Sequence, residues 1–322
     1  MIALKDVHEA RNRIHPFIHR TRLEHSTALS DKCGFDVWLK PECMQRTGSF
    51  KFRGALNRTL SLSPEEGGKG LVTASSGNHG RGVACAARMK GYSATVVMPE
   101  GGSPAKAGAI RGYGAQVIFC GTKSDERQAL AAKMKDEQGM TMVHPYDDPY
   151  VMAGAGTIGL EILEDLDDVA AVLVPTGGCG LISGIATAIK ETKPGVKVIG
   201  VEPVGSDSAG RSFHAGKRVR LDTTDTIADG IRTTVPGELT FPVVMKYVDD
   251  MVLVSENSIV QATQLILERC KILAEPTGAV TTAALLSPGV LPDSLKGKKI
   301  VPLISGGNVA LSQLAEILTM KF

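Results

Sequence analysis

The segment AAVLVPTGGCGLISGIATAIKE, residues 170–191, restricts this chain more than any other. An unbroken aliphatic run ends at Pro175, glycines 177, 178 and 180 follow, and a helical pattern starts near Leu181. A strand without polar alternation must be covered on both faces, as in a parallel sheet. Glycines between such a strand and a helix let backbone amides approach an anion, and the helix dipole favours its charge. A tight turn alone would need fewer glycines. Phosphate is the natural guest, although the Lys-Ser/Thr ending of a nucleotide P-loop is missing.

The rest of the chain repeats this alternation. Apolar runs at 36–40, 70–75, 94–99, 116–120, 170–175, 197–202, 251–255 and 300–305 read as strands. Helical patterns such as NHGRGVACAARMKGY, SDERQALAAKMKDEQG and SIVQATQLILERCKILA lie between them. Strands separated by helices of this length imply crossover units, so the expected class is α/β with two open, twisted, mostly parallel sheets flanked by helices. The block 66–146 reads as a small domain inserted into a large one made of 1–65 and 147–322. At 322 residues, 43% apolar and 22% charged, the chain has ample core for both.

Charge excludes some function classes. With 36 basic and 34 acidic residues well mixed, no footprint for nucleic acid or an anionic membrane is expected. The start MIALKDVHEARNRIH reads as an amphipathic helix, and no apolar run approaches a membrane span. Six scattered cysteines without a CxxC pair read as reduced cytosolic thiols, with Cys85 and Cys270 as buried small hydrophobes. The expected location is cytoplasmic.

Two further strand-to-helix loops carry small polar residues. One is Ser75, Ser76, Gly77, Asn78, His79, which suits a carboxylate or simply caps the following helix. The other is Ser305, Gly306, Gly307, Asn308. Ligands in such sheets bind beyond the carboxyl ends of strands, so three such loops suggest one ligand lying across several strand ends. GAGTIG at 154–159 matches the dinucleotide fingerprint, but no strand precedes it and its glycines run into a helix. The histidines form no metal-ligand spacing with cysteine, the acidic pairs at 147–149 and 248–250 read as solvated turns, and no GxSxG elbow is present. Lys51, between Phe50 and Phe52, either snorkels its ammonium out of an ordinary helix start or is an amine that can lose its proton. Burial would ease loss of its proton, as a nucleophile or base requires.

The motifs TGSFKFRGALN, SSGNHGRGVA, PTGGCGLISG, EPTGA and SGGNV, in this order, resemble the pyridoxal-phosphate enzymes of the tryptophan-synthase β-like fold (fold type II). The nearest resemblance is to the serine/threonine dehydratase and serine racemase branch. It implies pyridoxal 5'-phosphate as cofactor, with Lys51 joined to its aldehyde. It implies Gly177, Gly178, Cys179, Gly180 and Leu181 around the phosphate, Asn78 on the ring hydroxyl, Phe50 beneath the ring, Ser305 at the ring nitrogen and Glu275 supporting that end. Cys179 replaces a glycine of the family pattern, which is harmless if the position needs only an amide at ordinary φ. A serine at the ring nitrogen leaves it unprotonated and weakens the electron sink, favouring β-elimination.

The implied reaction is loss of water from serine, threonine or β-hydroxyaspartate, giving a 2-oxo acid and ammonia. Ser75, Ser76, Gly77 and His79 would hold the substrate carboxylate at a helix N-terminus. Arg127 and Thr233 would meet a second carboxylate. The alternative is racemisation, with Lys51 and Ser76 as catalytic acid/bases on opposite faces. Tyr146, in place of a racemase asparagine, favours the dehydratase. A cation such as Mg2+ would use Glu202, although Ser208 stands where the racemases have an aspartate and Asp207 falls one residue early. The expected partners are an amino-acid substrate and a second copy of the chain in a homodimer.

Overall fold

A computed structural model describes residues 1–75 and 77–321. Ten strands are present among the described residues: β1 (Glu24–His25), β2 (Asp36–Pro41), β3 (Leu71–Ala74), β4 (Ala94–Met98), β5 (Gln116–Phe119), β6 (Thr141–Met142), β7 (Ala171–Pro175), β8 (Lys197–Pro203), β9 (Asp250–Val254) and β10 (Lys299–Ile304). They form a six-stranded sheet in the order β1-β2-β10-β7-β8-β9 and a four-stranded sheet in the order β5-β4-β3-β6. Every pairing is parallel except β1 with β2. All eight apolar runs became strands. The two-residue β1 and β6 had no run long enough to be seen.

Both faces of each sheet are covered. Ala171 and Leu173 enter one core while Val172 and Val174 enter the core on the opposite face. Leu71 and Val72 divide in the same way in the four-stranded sheet. This is why the strands lack polar alternation. None of the described helices is long and apolar enough to cross a membrane.

The helix Lys51–Ser61 joins the two layers. Its Ala55 packs in the core of the four-stranded sheet, and Phe52 and Leu56 pack against Cys85 and Ala86. On its other side Gly54 meets the helix Pro149–Asp165, where a Cβ would fall 2.7 Å from Val151 O. The GAGTIG glycines belong to that second helix and let backbones touch. A Cβ on Gly154 would strike Arg53 O at 2.6 Å, and one on Gly156 would strike Gly184 O at 2.8 Å. The apparent nucleotide fingerprint is a helix-packing device.

Charge fixes the register of the Lys51 helix. Arg53, Lys40 and Glu42 are fully buried. Arg53 donates to Glu42 through Nε and Nη2, each at 2.8 Å, and to Glu161 through Nη1 at 2.7 Å and Nη2 at 2.9 Å. Lys40 Nζ donates to Glu161 at 2.7 Å. Burial pushes the Glu42 carboxyl up, but the Arg53 guanidinium outweighs it and holds it below the usual range. Removing one partner of such a group strands a buried charge. Arg53→Met is expected to cost about 3–5 kcal/mol in urea unfolding; a loss under about 1 kcal/mol would contradict this reading.

Candidate active site

Three strand ends meet at Lys51, which opens its helix. The loop before it is zipped to the loop after β10: Ser49 bridges to Gly306, Phe50 N donates to Ser305 O at 3.0 Å, and Gly307 N donates to Gly48 O at 3.0 Å. Lys51 Nζ donates to Pro145 O at 2.7 Å and lies 5.1 Å from the Phe50 ring centre. The residue is half-buried with its amine surrounded by protein, and this desolvation lowers its pKa to about 8. Phe52 does not flank it. Successive helical residues turn by about 100°, and Phe52 points into the core beside Ile14.

Beyond β7, the amides of Gly177, Gly178, Cys179, Gly180 and Leu181 donate to no acceptor among the described residues. They open the 13-residue helix Gly180–Thr192, so the loop is an anion cradle. A Cβ on Gly178 would fall 2.4 Å from the Tyr146 ring, and one on Gly177 3.2 Å from Thr233 Oγ1. The condition of an ordinary φ at Cys179 is not met, because its φ is 71°. Its thiol is buried and bonds to Gly177 O at 3.4 Å. Leu181 packs its side chain in the core and leaves only its amide for the loop.

The third edge is a chain of amides. Asn308 Nδ2 donates to Asn78 Oδ1 at 2.8 Å, and Asn78 Nδ2 donates to Glu275 Oε1 at 2.6 Å. Arg81 donates to Asn308 Oδ1. Burial, with Asp229 nearby, pushes Glu275 up to about 7. Asn78 is thereby held with its amide nitrogen toward Glu275. Ser75 Oγ accepts from Gly77 N at 3.2 Å and Gly80 N at 2.9 Å, so it caps the helix Asn78–Lys90. Ser76 lies outside the described residues.

Residues 14–306 match the family of pyridoxal-phosphate dependent enzymes. The chain belongs to this family. It is 47% identical to a catabolic L-threonine dehydratase of Staphylococcus aureus, over 99% of this chain and 92% of that one. Its fold is similar to that of maize serine racemase, with TM-score 0.94, 37% identity and coverage of 98% and 96%. It is also similar to a T.th. threonine deaminase, with TM-score 0.90, 43% identity and coverage of 96% and 99%. The cofactor of this pyridoxal-phosphate enzyme fits its residues: five free amides suit a phosphate, and a desolvated amine suits an aldehyde.

Several expected residues have other employment. His79 is buried, its Nε2 lies 2.9 Å from Val143 O, and burial lowers its pKa to about 3. It is therefore neutral and cannot offer a carboxylate a charge. Arg127 donates to Thr122 O and Lys123 O, beside its own helix, and not to the Lys51 cluster. Glu202 accepts Ala209 N at 3.1 Å and Gly210 N at 2.6 Å, one on each oxygen, and burial pushes it up to about 8. Asp207 pairs with Arg211, and Ser208 donates to Thr233 O. No group of three or more His, Cys, Asp or Glu could hold a metal among the described residues.

Two other readings change. Asp147 accepts the amides of Glu238, Leu239 and Thr240, and Asp148 caps the helix that starts at Pro149, so this pair is no solvated turn. Cys270 is half-buried, at the end of a π turn, 3.4 Å from Ser26 Oγ. The roles of Asn308 and Arg81 were missed, although SGGN and NHGR were both in view. Their polar side chains beside glycine loops were the available signal.

Lys51 and Cys179 carry testable consequences. Between about pH 8 and the ordinary lysine range, the unfolded chain holds a proton that folded Lys51 has released. Stability therefore rises with pH in that window, and the full cost stands below pH 8. Cofactor-free Lys51→Met should be more stable than wild type by about 2 kcal/mol at pH 7, with the gap closing toward pH 10 in urea titrations. At position 179, glycine relieves the left-handed strain, whereas a β-branched residue worsens it. Cys179→Gly should keep full pyridoxal occupancy by visible absorbance, and Cys179→Val should lose most of it.

Proposed function

We propose that this enzyme removes water from a β-hydroxy amino acid, with L-threonine as leading substrate and serine beside it, yielding a 2-oxo acid and ammonia. One observation carries the reading: an amine with its pKa lowered to about 8 is held on Pro145 O, next to the Tyr146 that packs on a cradle of free amides, with an oriented asparagine opening a helix packed on its own. The name of the Staphylococcus relative supports threonine.

Each residue then has a task. The amides of Gly177–Leu181 would hold the phosphate, Asn78 would bond the ring hydroxyl, Phe50 would support the ring, and Ser305 would partner the ring nitrogen. The turn at Ser75 and Gly77 would receive the substrate carboxylate, and Thr233 stands beside Gly177. Bound pyridoxal phosphate supplies a sink for the electron pair left at the substrate α-carbon. Lys51 Nζ takes the α-proton, being neutral often enough near pH 8. Ser305 offers a hydroxyl and no carboxylate, which keeps that sink weak and favours prompt departure of the β-hydroxyl. The α-proton and hydroxyl together leave as water, and the enamine takes water back to give 2-oxo acid and ammonia.

Racemisation is the second reading, supported by the likeness to maize serine racemase and by Ser76 in the sequence. β-Hydroxyaspartate loses support because Arg127 is engaged elsewhere. We also infer a large unit of 1–65 and 147–322 with 66–146 inserted, working as a homodimer of 33.9-kDa chains, which sedimentation tests. The functional test is a panel of L- and D-serine, threonine and β-hydroxyaspartate isomers, assayed for 2-oxo acid and for enantiomer. L-Threonine should give 2-oxo acid, and Lys51→Ala should slow this by about 10³-fold or more. Inert hydroxy amino acids throughout would end the reading, and enantiomer exchange without 2-oxo acid would favour the racemase.

A further inference from the structure

Lys106 and Asp229 belong to no motif, yet they meet across the site. Lys106 projects from the helix Pro104–Gly112, which packs on the helix Asn78–Lys90 and on β5. Asp229 opens a turn fastened to the other layer. Gly230 N donates to Thr277 Oγ1 at 3.0 Å, and Ser206 Oγ donates to Ile231 O at 2.8 Å. The two side chains form an ion pair with 19% and 33% of their surfaces exposed. The Lys106 stem rests on Gly77, where a Cβ would fall 3.3 Å from Lys106 Cδ. At the far end of the same turn Ile231 stands against Gly177, with Cα 3.1 Å from a Cβ placed there. One ion pair therefore ties the Gly77 turn to the wall of the phosphate cradle.

We propose that Lys106, pinned by Asp229, is a positioning residue that sets the Gly77 turn at the distance from the cradle where the amino-acid carboxylate is gripped. This rests on reading the Gly77 turn as the carboxylate site. Ser75 Oγ accepts Gly77 N and Arg81 N donates to Gly77 O, but glycine brings no side chain of its own to fix the turn against the cradle. Asp229 cancels the charge of Lys106, so the lysine contributes position and little net attraction.

That distinction decides the experiment. Lys106→Met and Asp229→Asn both break the pair, but the second frees a cation beside the turn. Binding of glycine, which has no β-hydroxyl to lose, is read from the visible spectrum of the holoenzyme, and KM for L-threonine is measured in parallel. Each variant should bind glycine about tenfold more weakly and raise KM similarly, with kcat changed by less than about threefold. The double variant should be no worse than the poorer single one. Lys106→Arg should restore most of the affinity, and pyridoxal occupancy should match wild type in all of them. Unchanged affinity, tighter binding by Asp229→Asn, or additive losses would overturn the proposal. If wild type binds glycine but turns over no hydroxy amino acid, the proposed reaction fails and this inference stands. If wild type does not bind glycine, the inference falls.

Discussion

The buried group of Arg53, Glu42, Glu161 and Lys40 is the constraint on which the rest depends. It ties the Lys51 helix to β2, to the turn after it and to the helix Pro149–Asp165, all inside a dry core. Apolar packing alone would let that helix slide or rotate at modest cost, because oily surfaces are tolerant of volume-conserving shifts. A guanidinium shared between two carboxylates is not tolerant, since its bonds are directional. Lys51 lies two residues from Arg53, so the register of the charge group becomes the address of the reactive nitrogen.

Around that nitrogen the site is assembled from groups left unsatisfied. Five amides at the head of one helix donate to nothing among the described residues, and a lysine is held where its charge is penalised. Both are costs to the protein on its own, and both are relieved by a phosphate joined to an aldehyde. Asn78, clamped between Asn308 and Glu275, points its amide before any ligand arrives. The histidines nearby stay uncharged, His79 near 3 and His144 near 4, through burial. These two imidazoles therefore add no charge beside Lys51 at neutral pH.

Much of this was legible in the sequence. Eight strands showed as apolar runs because both faces of each sheet are covered, and the glycine-rich strand ends pointed to an anion. The two-residue strands carried no periodicity to detect. Phe52 was misplaced because neighbours in sequence are not neighbours around a helix. Arg127 and Glu202 were drawn in by motif correspondence, whereas their bonding is decided by nearby carbonyls and amides. Lys106 and Asp229 were invisible, since 123 residues separate them and neither sits in a patterned segment.

Cys179 has a meaning for how such a site can drift over generations. The cradle works through backbone amides, and the side chain at 179 turns away to bond with Gly177 O. Glycine and cysteine codons differ at a single base, so the substitution is among the nearest mutations available to a glycine there. A left-handed residue with a Cβ carries a strain of about 1–2 kcal/mol, which thiol packing and a stiffer unfolded chain can offset. The lineage could thus exchange one glycine for cysteine without leaving its chemistry, keeping the shape of the loop while its letters changed.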